Sequence, residues 1–474
     1  MTSYMTDLLT NSPLMAIVVT SLVLLLIEST KSVRTDITFG VGIVGLVTTG
    51  FLACFHLSPE QPTFNGMLNA GGYGSYFTII FVASALLTFM LSRTYLERMA
   101  SNKGEYYILI VFATIGMMLM ASANDLIIVF LGIELMSLCL YILVGFFRLR
   151  DRSNESAIKY FLLGAFATGF LLYGIALVYG SSGTTNLNLI AGSFDVLAGN
   201  TMFVIGVALM IVAFSFKVAA VPFHMWAPDV YEGAPTTVTG FMSTGAKAAA
   251  FAVFVVVFDR TMGFSGGKVN NVIALISAAS MIVGNVLAIA QTSVKRMLAY
   301  SSIAHAGYML SGVAAANAEG QSGVLFYLIA YLFMNIGAFG VVGIMETEDE
   351  KNLSLDDYAG LSTHRPILAM LMAVFMFSLA GVPPFGGFFG KYYVFLAAVK
   401  ANMTWLAIVG VLTSLISAYY YLRVVVFMYF REGKADVPIK PSLPAMIALG
   451  ASALLILQLG LYPSFVVQLV QSFH

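Results

Sequence analysis

The chain has 474 residues and a formal net charge of zero; 59% of its residues are hydrophobic, 10% are charged, and the mean hydropathy is +0.90. One soluble core cannot bury so large an apolar fraction, so the composition predicts a protein that crosses a membrane many times. The neutral charge gives no indication of nucleic-acid binding, and we expect no nucleic-acid partner.

Apolar windows along the chain predict an all-α polytopic membrane protein. Crossing about 30 Å of hydrocarbon takes about 20 residues, and roughly 14 windows are long enough. The predicted spans are residues 13–29, 37–56, 76–96, 106–122, 125–147, 157–179, 201–221, 236–258, 271–291, 299–316, 322–345, 366–400, 402–428 and 443–466. The first span follows no basic segment and no small-residue cleavage site ends it, so we expect it to be retained rather than removed as a signal peptide.

The loops between these spans carry Lys and Arg unevenly. Sixteen of the 23 fall in alternate loops on one side, and three fall in the loops on the other side. Cytoplasmic loops retain basic residues, so this asymmetry predicts that both termini lie on the outer side of the membrane. We expect the acidic run at residues 346–350 to be a solvated cytoplasmic loop.

Several features speak against a cofactor or metal in this chain. Cys54 and Cys139 lie in apolar stretches without CxxC spacing, so they cannot hold an iron–sulfur cluster or structural zinc. Gly40, Gly42 and Gly45 match GxGxxG, but no strand precedes them and they lie inside an apolar span, which favours helix packing over a dinucleotide site. The loops are too short to form a domain for a flavin or a nucleotide.

Glu134 is a carboxylate inside the fifth predicted span, DLIIVFLGIELMSLCLY, about 13 Å from its start. A charge at membrane depth costs about 2.5–3.5 kcal/mol, and a pathway for ions or protons is the usual reason for one. If Glu134 faces Lys217, a change in their separation alters the affinity of both groups for protons. The alternative is a static ion pair that fixes helix packing.

Two predicted helices are interrupted, and each interruption carries a lysine. In VAFSFKVAAVPFHMWAPD, Lys217 precedes Pro222 by five residues; in SLAGVPPFGGFFGKYY, Lys391 follows two prolines and three glycines. Proline removes backbone hydrogen bonds, and glycine permits an irregular path. A desolvated lysine releases its proton readily, so both lysines could carry protons. The alternative is that each ammonium binds the free carbonyl groups of its break.

The two interruptions lie five helices apart. Because five is odd, equivalent helices would run in opposite directions across the membrane, which predicts an inverted repeat. We expect an N-terminal three-helix segment (1–105), a first five-helix repeat (106–258), a second inverted repeat (259–430) and a C-terminal helix (431–474). Irregular backbone at this depth is tolerated only inside protein or beside a wet cavity, so the breaks indicate two half-pathways.

Lys247 and His305 are further candidates for proton transfer. Lys247 lies near the middle of span 8 in STGAKAAAF, where small residues leave room for water, and we expect it to relay protons between the other two lysines. His305, in AYSSIAHAGYML, has Ser301, Ser302 and Tyr308 nearby, so a hydrogen-bonded relay is feasible. A core histidine with satisfied hydrogen bonds is the alternative.

His224 and Arg423 are weaker candidates. His224 follows Pro222 by two residues, which would place its imidazole at the mouth of the first broken helix. Arg423 follows three consecutive tyrosines near the end of span 13, where we expect the guanidinium to reach the membrane interface. Neither position by itself indicates proton transfer.

Four strings together resemble a known family. FLGIELMSL surrounds Glu134, FKVAAVPFHMWAPDVYEGAP contains Lys217, KRMLAYSSIAHAGYML contains His305, and SLAGVPPFGGFFGKYYVF contains Lys391. From about residue 106 to 431 the chain is similar to the antiporter-like membrane subunits of proton-pumping NADH-quinone oxidoreductase, respiratory complex I. The lysine at 391 and the VPFHMWAPDVYEGAP string favour the subunit N group over the M and L groups.

The resemblance implies about 14 helices in two inverted five-helix repeats, with helices 7 and 12 discontinuous. It implies that Glu134, Lys217, Lys247 and Lys391 transfer protons, and His305 is added here as a relay. It also implies a multi-pass protein of the bacterial cytoplasmic membrane with lipid and subunits resembling M and K as neighbours. Flavin, iron–sulfur clusters and quinone are then expected in partner subunits, with no cofactor or metal in this chain.

The expected function is therefore that of a non-redox, proton-translocating subunit of NADH:quinone oxidoreductase, in the translocase class. Quinone reduction elsewhere would drive proton transfer along the buried Glu/Lys axis. One alternative is a subunit of a multi-subunit cation/proton antiporter that uses the same charges. Another is a structural spacer in the membrane arm, in which the charges only hold helices together.

Overall fold

The computed structural model describes residues 3–30, 35–259, 268–347, 352–433 and 441–473. Most of these residues are helical, and the helices pack around one extended hydrophobic core. Eleven helices within these ranges are long and apolar enough to cross a membrane. The prediction of an all-α polytopic membrane protein is confirmed.

The helices follow one another closely along the chain. They are α1 (Ser3–Thr10), α2 (Ser12–Ser29), α3 (Thr35–Phe55), α4 (Gly72–Arg98), α5 (Gly104–Ser122), α6 (Leu126–Val144), α7 (Asp151–Ser182), α8 (Leu187–Gly192), α9 (Phe194–Leu197), α10 (Thr201–Lys217), α11 (Trp226–Gly233), α12 (Thr236–Phe241), α13 (Lys247–Val253), α14 (Lys268–Ile289), α15 (Val294–Ala315), α16 (Ala318–Met345), α17 (Leu361–His364), α18 (Pro366–Ala380), α19 (Gly386–Lys400), α20 (Thr404–Phe430), α21 (Leu443–Leu461) and α22 (Pro463–Gln471). Two π-helical turns, Met242–Ala246 and Phe254–Asp259, flank α13, and a 3-10 turn covers Leu355–Tyr358.

Both predicted interruptions are present. α10 ends at Lys217 and α11 begins at Trp226, whereas α18 ends at Ala380 and α19 begins at Gly386. The described ranges contain eleven long apolar helices. The predicted total of about 14 spans is reached by adding the two broken helices and α15. That total stays a prediction.

Two close helix pairs are built on glycine. A Cβ atom at Gly116 of α5 would lie 2.6 Å from the backbone nitrogen of Met136 on α6. A Cβ atom at Gly284 of α14 would lie 2.6 Å from the backbone nitrogen of Ala304 on α15. Small residues let helix backbones approach this closely in membranes. The two pairs occupy equivalent places in the predicted repeats.

The N-termini of α6 and α15 also correspond. Asp125 caps α6 and forms an antiparallel bridge with Asn186, which follows α7. Ser293 caps α15 and forms an antiparallel bridge with Ser354, which follows α16. These matched features support the inverted repeat, although the repeat and the four-part division of the chain stay predictions.

The segment before the first predicted repeat contains the only strands of the described residues. β1 (Gln61–Thr63) and β2 (Leu68–Ala70) form an antiparallel hairpin between α3 and α4. In the same segment, Gly45 of the GxGxxG string packs against Thr20 of α2. That glycine serves the contact between two helices.

The acidic run after α16 differs from the expectation. Glu346 is only 2% exposed, and its carboxylate accepts hydrogen bonds from Tyr95 and Thr236. The expectation of a solvated loop is therefore wrong for Glu346, because α4 and α12 cover the end of α16. Residues 348–350 lie outside the described residues.

Candidate functional site

Glu134 and Lys217 lie near each other on α6 and α10. The Nζ atom of Lys217 donates to Oγ of Ser137 at 2.7 Å, and Ser137 follows Glu134 by one helical turn. Among the described residues, no ion-pair contact joins Glu134 to Lys217, although Lys217 lies within electrostatic reach of that carboxylate. Both side chains are half-buried. The structure thus brings the predicted pair together without direct contact.

The backbone of the first break is stabilised by neighbouring side chains. Nε1 of Trp226 donates to the carbonyl oxygen of Phe216 at 3.0 Å, and the amide of Val221 donates to Oγ of Ser280 at 2.9 Å. His224 lies in the break and is 8% exposed, and its Nδ1 atom has no hydrogen-bond partner among the described residues. Two side-chain hydrogen bonds therefore hold the backbone of the break, and Nδ1 of His224 remains without a partner among the described residues.

Lys247 is the first residue of α13, directly after a π-helical turn, and it is 2% exposed. Its ammonium donates to the carbonyl oxygen of Ser302 at 2.6 Å and also to the hydroxyl of Ser302. Its Nζ atom lies 5.8 Å from the ring centre of Tyr331. π-Helical turns occur frequently at functional sites. Lys247 is thus a buried cation held against α15.

His305 is buried among tyrosines. Its Nδ1 atom lies 2.7 Å from the hydroxyl of Tyr327, and its Nε2 atom lies 3.0 Å from the hydroxyl of Tyr421. The hydroxyl of Tyr421 also bonds to Ser301, one turn before His305. A neutral imidazole has one donor and one acceptor, and a hydroxyl can fill either role. The arrangement suits both a satisfied core histidine and a proton relay.

A second hydrogen-bonded group lies between His305 and Lys391. Nδ2 of Asn285 donates to the hydroxyl of Tyr308 at 2.9 Å, and its Oδ1 accepts from the hydroxyl of Tyr420 at 2.8 Å. The Nζ atom of Lys391 lies 5.0 Å from the ring centre of Tyr308. Polar side chains therefore continue from the histidine to the second break.

Lys391 lies at that second break and is 5% exposed. Its ammonium donates to the carbonyl oxygens of Leu379 at 3.0 Å and Ala380 at 2.9 Å, and to Oγ of Ser414 at 2.8 Å. The two carbonyls belong to the last residues of α18, where the helix dipole favours a cation. Lys391 thus binds the free carbonyl groups of its break, as expected of a purely structural lysine. It also lies at the end of the polar cluster, as expected of a proton carrier.

The predicted residues form two groups. Lys247, His305 and Lys391 belong to one buried polar cluster, and the imidazole lies within electrostatic reach of both lysines. Glu134 and Lys217 form the other group. Among the described residues, no single side chain hydrogen-bonds to both Lys217 and Lys247.

A groove opens beside Lys391 on the outside of the chain. It has a volume of about 780 Å³ and is mostly apolar, with walls from α19 and α20. Lys391 and Ser414 form its polar end. The second break is thus approached from a surface that suits lipid or a neighbouring helix.

Arg423 contacts the protein rather than open space. Its guanidinium donates to the carbonyl oxygens of Ile289 at 3.1 Å and Gln291 at 2.6 Å, at the end of α14. Within the described residues, no group of three or more His, Cys, Asp or Glu side chains could hold a metal ion.

Several residues of the site were missed by the sequence reasoning. They are Ser137, Asn285, Tyr327, Tyr421 and Ser414. One local signal was present, because Ser137 follows the predicted proton-transfer residue Glu134 by one helical turn. The other four come from different helices than the residues they bind, and no local pattern indicates which ionisable residue they meet.

The middle of the chain matches a protein-family model. Residues 123–417 match the family described as "NADH:quinone oxidoreductase/Mrp antiporter, TM". The chain is also 46% identical, over 478 residues, to "NADH-quinone oxidoreductase subunit N 1" of Chloroherpeton thalassium, with 98% of each chain covered.

Solved structures give the same result. The fold is similar to a chain of respiratory complex I from Thermus thermophilus, with a TM-score of 0.83, 34% identity and coverage of 96% of this chain and 98% of that one. It is also similar to a chain of the Mrp complex from Dietzia, with a TM-score of 0.86, 20% identity and coverage of 98% and 97%, which shows the shared fold alone. Together the sequence and structure matches show that the chain belongs to the subunit N family of NADH-quinone oxidoreductase, within the wider group of antiporter-like membrane subunits.

Proposed function

We propose that this chain transfers protons across the membrane as a non-redox, membrane-arm subunit of an NADH:quinone oxidoreductase. The observation that carries the proposal is the position of the charges. Lys247 and Lys391 are 2% and 5% exposed, and hydroxyl, amide and imidazole groups lie between them. Ionisable residues at membrane depth that face a polar interior mark ion and proton pathways.

The first step is a change in the field at Lys217. At an effective dielectric constant near 20, a pair of unit charges about 4 Å apart is worth roughly 4 kcal/mol, or about three units of proton affinity. Glu134 and Lys217 are not in ion-pair contact, so this value is the upper limit of the support that the carboxylate gives the ammonium. When a neighbouring subunit draws Glu134 away, the ammonium of Lys217 loses this support and releases its proton toward Lys247. Glu134 is half-buried, so a neighbour can reach it without opening the core.

The next steps run through the buried cluster. A neutral Lys247 accepts the proton, and His305 passes it on by taking a proton at one ring nitrogen and giving one from the other. Lys391 receives it at the second break and exchanges it with the far side of the membrane. Water can enter beside irregular backbone, so a residue that exchanges protons with water is well placed at a helix break.

The surroundings of the chain follow from the same proposal. Membrane subunits resembling M and K and the lipid bilayer are its neighbours, and flavin, iron–sulfur clusters and quinone belong to other subunits. Both termini lie on the outer side of a bacterial cytoplasmic membrane, as the Lys and Arg distribution predicts. The four-part division of the chain and the two inverted repeats remain part of this proposal.

A second candidate function is cation/proton antiport in a multi-subunit antiporter. The likeness to the Mrp complex chain favours this candidate only at the level of the fold. Purification in mild detergent separates the two, since co-purified NADH dehydrogenase activity supports the first and sodium-dependent proton exchange without it supports the second.

A third candidate is a structural spacer. The bonds from Lys391 to the carbonyls of Leu379 and Ala380 favour it, because they are what a helix-capping lysine makes. A spacer needs those bonds for assembly, whereas a proton carrier needs the charge for transport.

Replacement of Lys217 by Ala tests the proposed function. We expect the complex to assemble and NADH-driven proton uptake by vesicles to fall at least about tenfold, since positioned acid–base groups commonly contribute about 10² or more. Lys400→Ala is the control, because Lys400 ends α19 in an exposed pair with Glu319. An assembled Lys217→Ala complex that pumps normally per NADH would overturn the proton-transfer role.

A further inference from the structure

Glu346 is a buried carboxylate that the proposed axis does not use. It directly follows α16, and its Oε2 atom accepts from Oγ1 of Thr236 at 2.6 Å and from the hydroxyl of Tyr95 at 3.0 Å. The amide of Thr236 in turn donates to the hydroxyl of Tyr95 at 3.1 Å. A carboxylate that is 2% exposed needs such bonds and a nearby cation to stay charged.

The nearest cation is Lys295, which is 1% exposed. Its Nζ atom lies 3.9 Å from Oε1 of Glu346 and donates to the carbonyl oxygen of Ala234 at 2.8 Å. Within the described residues, Tyr95, Tyr358, Arg98 and Arg150 are further ionisable groups around this end of α16, and Arg98 binds the last carbonyls of the helix. The contact between Lys295 and Glu346 is longer than a hydrogen bond, so the carboxylate has charge support without a tight pair.

A stripe of polar side chains leads from Glu346 to Lys247. Ser243 and Lys247 follow Thr236 by seven and eleven residues. These separations place the three side chains on one face of the helical segment from 236 to 258. Oγ of Ser243 accepts from Nδ2 of Asn335 on α16 at 2.7 Å. The stripe therefore runs along the contact between this segment and α16.

Two buried polar atoms on α16 face the same stripe without a partner. Oδ1 of Asn335 and the hydroxyl oxygen of Tyr331 have no hydrogen bond among the described residues, and both residues are 1% exposed or less. Tyr331 and Asn335 are one turn apart, and Glu346 continues their face of α16. Buried polar atoms of this kind are ordinarily satisfied by internal water.

A small cavity adjoins the Glu346 end of this stripe. It has a volume of about 20 Å³, and its walls include Tyr95, Arg98, Thr237 and Ser442. That volume is enough for one water molecule. Tyr95 lines the cavity, and its hydroxyl donates to Glu346. This hydroxyl therefore connects the carboxylate with a cavity that can hold water.

From this arrangement we propose that Glu346 is the proton-loading group of the axis, on the side of the membrane that the Lys- and Arg-rich loops face. The inference rests on the proposed function. The carboxylate takes a proton from a hydronium ion, which leaves as water, and becomes a neutral acid. That acid gives the proton through Thr236, Ser243 and intervening water to the neutral amine of Lys247, which in turn reloads Lys217 when Glu134 moves back toward it. The products of the transfer to Lys247 are an ammonium at Lys247 and the original carboxylate, and the charge of Lys295 is unchanged throughout.

The test replaces Glu346 by Gln in the assembled complex. An amide keeps the size and one acceptor oxygen for Thr236 and Tyr95, but it cannot load a proton. We expect normal assembly and NADH-driven proton uptake at least about tenfold slower than in the unchanged complex. Glu346→Asp, which keeps a carboxylate, should restore part of the rate with an altered dependence on pH. Glu319→Gln, at the exposed start of the same helix, is the matched control and should leave the rate unchanged.

Normal proton uptake by assembled Glu346→Gln would overturn the inference. If that variant does not assemble, Thr236→Val decides instead, because it removes the hydroxyl next to the carboxylate and leaves every charge in place. Slow uptake supports proton loading at Glu346, and an unchanged rate contradicts it. Lys217→Ala is measured in parallel: a slow Lys217→Ala complex beside a normal Glu346→Gln complex rejects only this inference, whereas normal uptake by Lys217→Ala rejects the proposed function itself.

Discussion

The hydroxyl of Ser137 holds the ammonium of Lys217 one helical turn from Glu134. The ammonium of Lys217 donates to this hydroxyl at 2.7 Å, and the hydroxyl donates to the carbonyl oxygen of Ile133. A direct contact between two half-buried charges would be strong and hard to separate. Glu134 and Lys217 are not in direct contact, so a modest shift of α6 can change the proton affinity of the lysine.

Replacing Ser137 by Ala should therefore impair proton transfer while the fold remains intact. A hydrogen bond to a charged group contributes about 1.5–3 kcal/mol, so we expect a roughly tenfold or greater loss in the rate of NADH-driven proton uptake. Ser452→Ala is the matched control, because Ser452 is also buried and also bonds to a carbonyl four residues earlier. Equal rates in the two variants would show that the hydroxyl has no part in transfer.

At this scale the sequence identifies charges better than their partners. Lys217, Lys247 and Lys391 were found because a charge inside an apolar stretch is costly and therefore conspicuous. Tyr327 and Asn285 were missed because they meet His305 and Tyr308 only through tertiary packing. Glu346 was misjudged because an acidic run resembles a solvated loop, and the helices that cover it, α4 and α12, come much earlier in the chain.

The broken helices were foreseeable because proline and glycine have strong local effects. α10 ends five residues before Pro222, and α19 begins two residues after Pro384. The π-helical turns around α13 were not foreseeable. They depend on how the segment from 236 to 258, which is wholly buried, packs against its neighbours.

Glycine at the closest helix contacts gives a prediction for these elements. In Gly116→Ala the new Cβ would meet backbone atoms of α6, which cannot move aside as a flexible side chain can. Overpacking of this kind costs about 1–3 kcal/mol, so we expect a lower thermal midpoint of the purified complex and less assembled material. Gly284→Ala should behave in the same way, because its Cβ would meet the backbone of α15.

The control for both glycine variants is Gly169→Ala. Apart from the backbone of its own helix, a Cβ atom at Gly169 would have no heavy atom within 4 Å. Alanine also favours helix over glycine by about 1 kcal/mol, so this variant should be neutral or slightly stabilising. Equal losses in all three variants would mean that helix contact is not the cause.

Across the whole molecule, a cluster of charges joins the two predicted repeats. Asp229 of α11 lies 3.1 Å from Nζ of Lys159 on α7 and 3.0 Å from the guanidinium of Arg296 on α15. Arg296 also contacts Glu232 at 2.5 Å. One carboxylate therefore connects the second half of the first broken helix with helices on both sides of it.

Asp229→Asn should weaken this connection. Partly exposed ion pairs contribute about 0.2–1 kcal/mol each, so we expect the thermal midpoint to fall by about 2 °C or less. The difference should shrink in about 1 M salt, where the screening length is roughly 3 Å. Glu319→Gln removes an exposed pair outside the cluster and serves as the control. A difference that does not depend on salt would contradict an electrostatic cause.

At the scale of the whole chain, the helical class followed from hydropathy alone, and family membership followed from four strings. The division into two groups of titrating residues could not be predicted, because it depends on which side chains meet between α10 and α13. The orientation in the membrane is predicted only from the Lys and Arg residues of the loops. The contacts between the described residues do not indicate which side faces the cytoplasm.

The separation between Lys217 and Lys247 has a consequence for energy conservation. A proton gradient across a bilayer is lost through any continuous proton-conducting path, whether or not NADH is being oxidised. In the conformation described, no side chain within the described residues hydrogen-bonds to both lysines. If this gap closes only during turnover, protons stored by one turnover are kept from flowing back through the chain before the next.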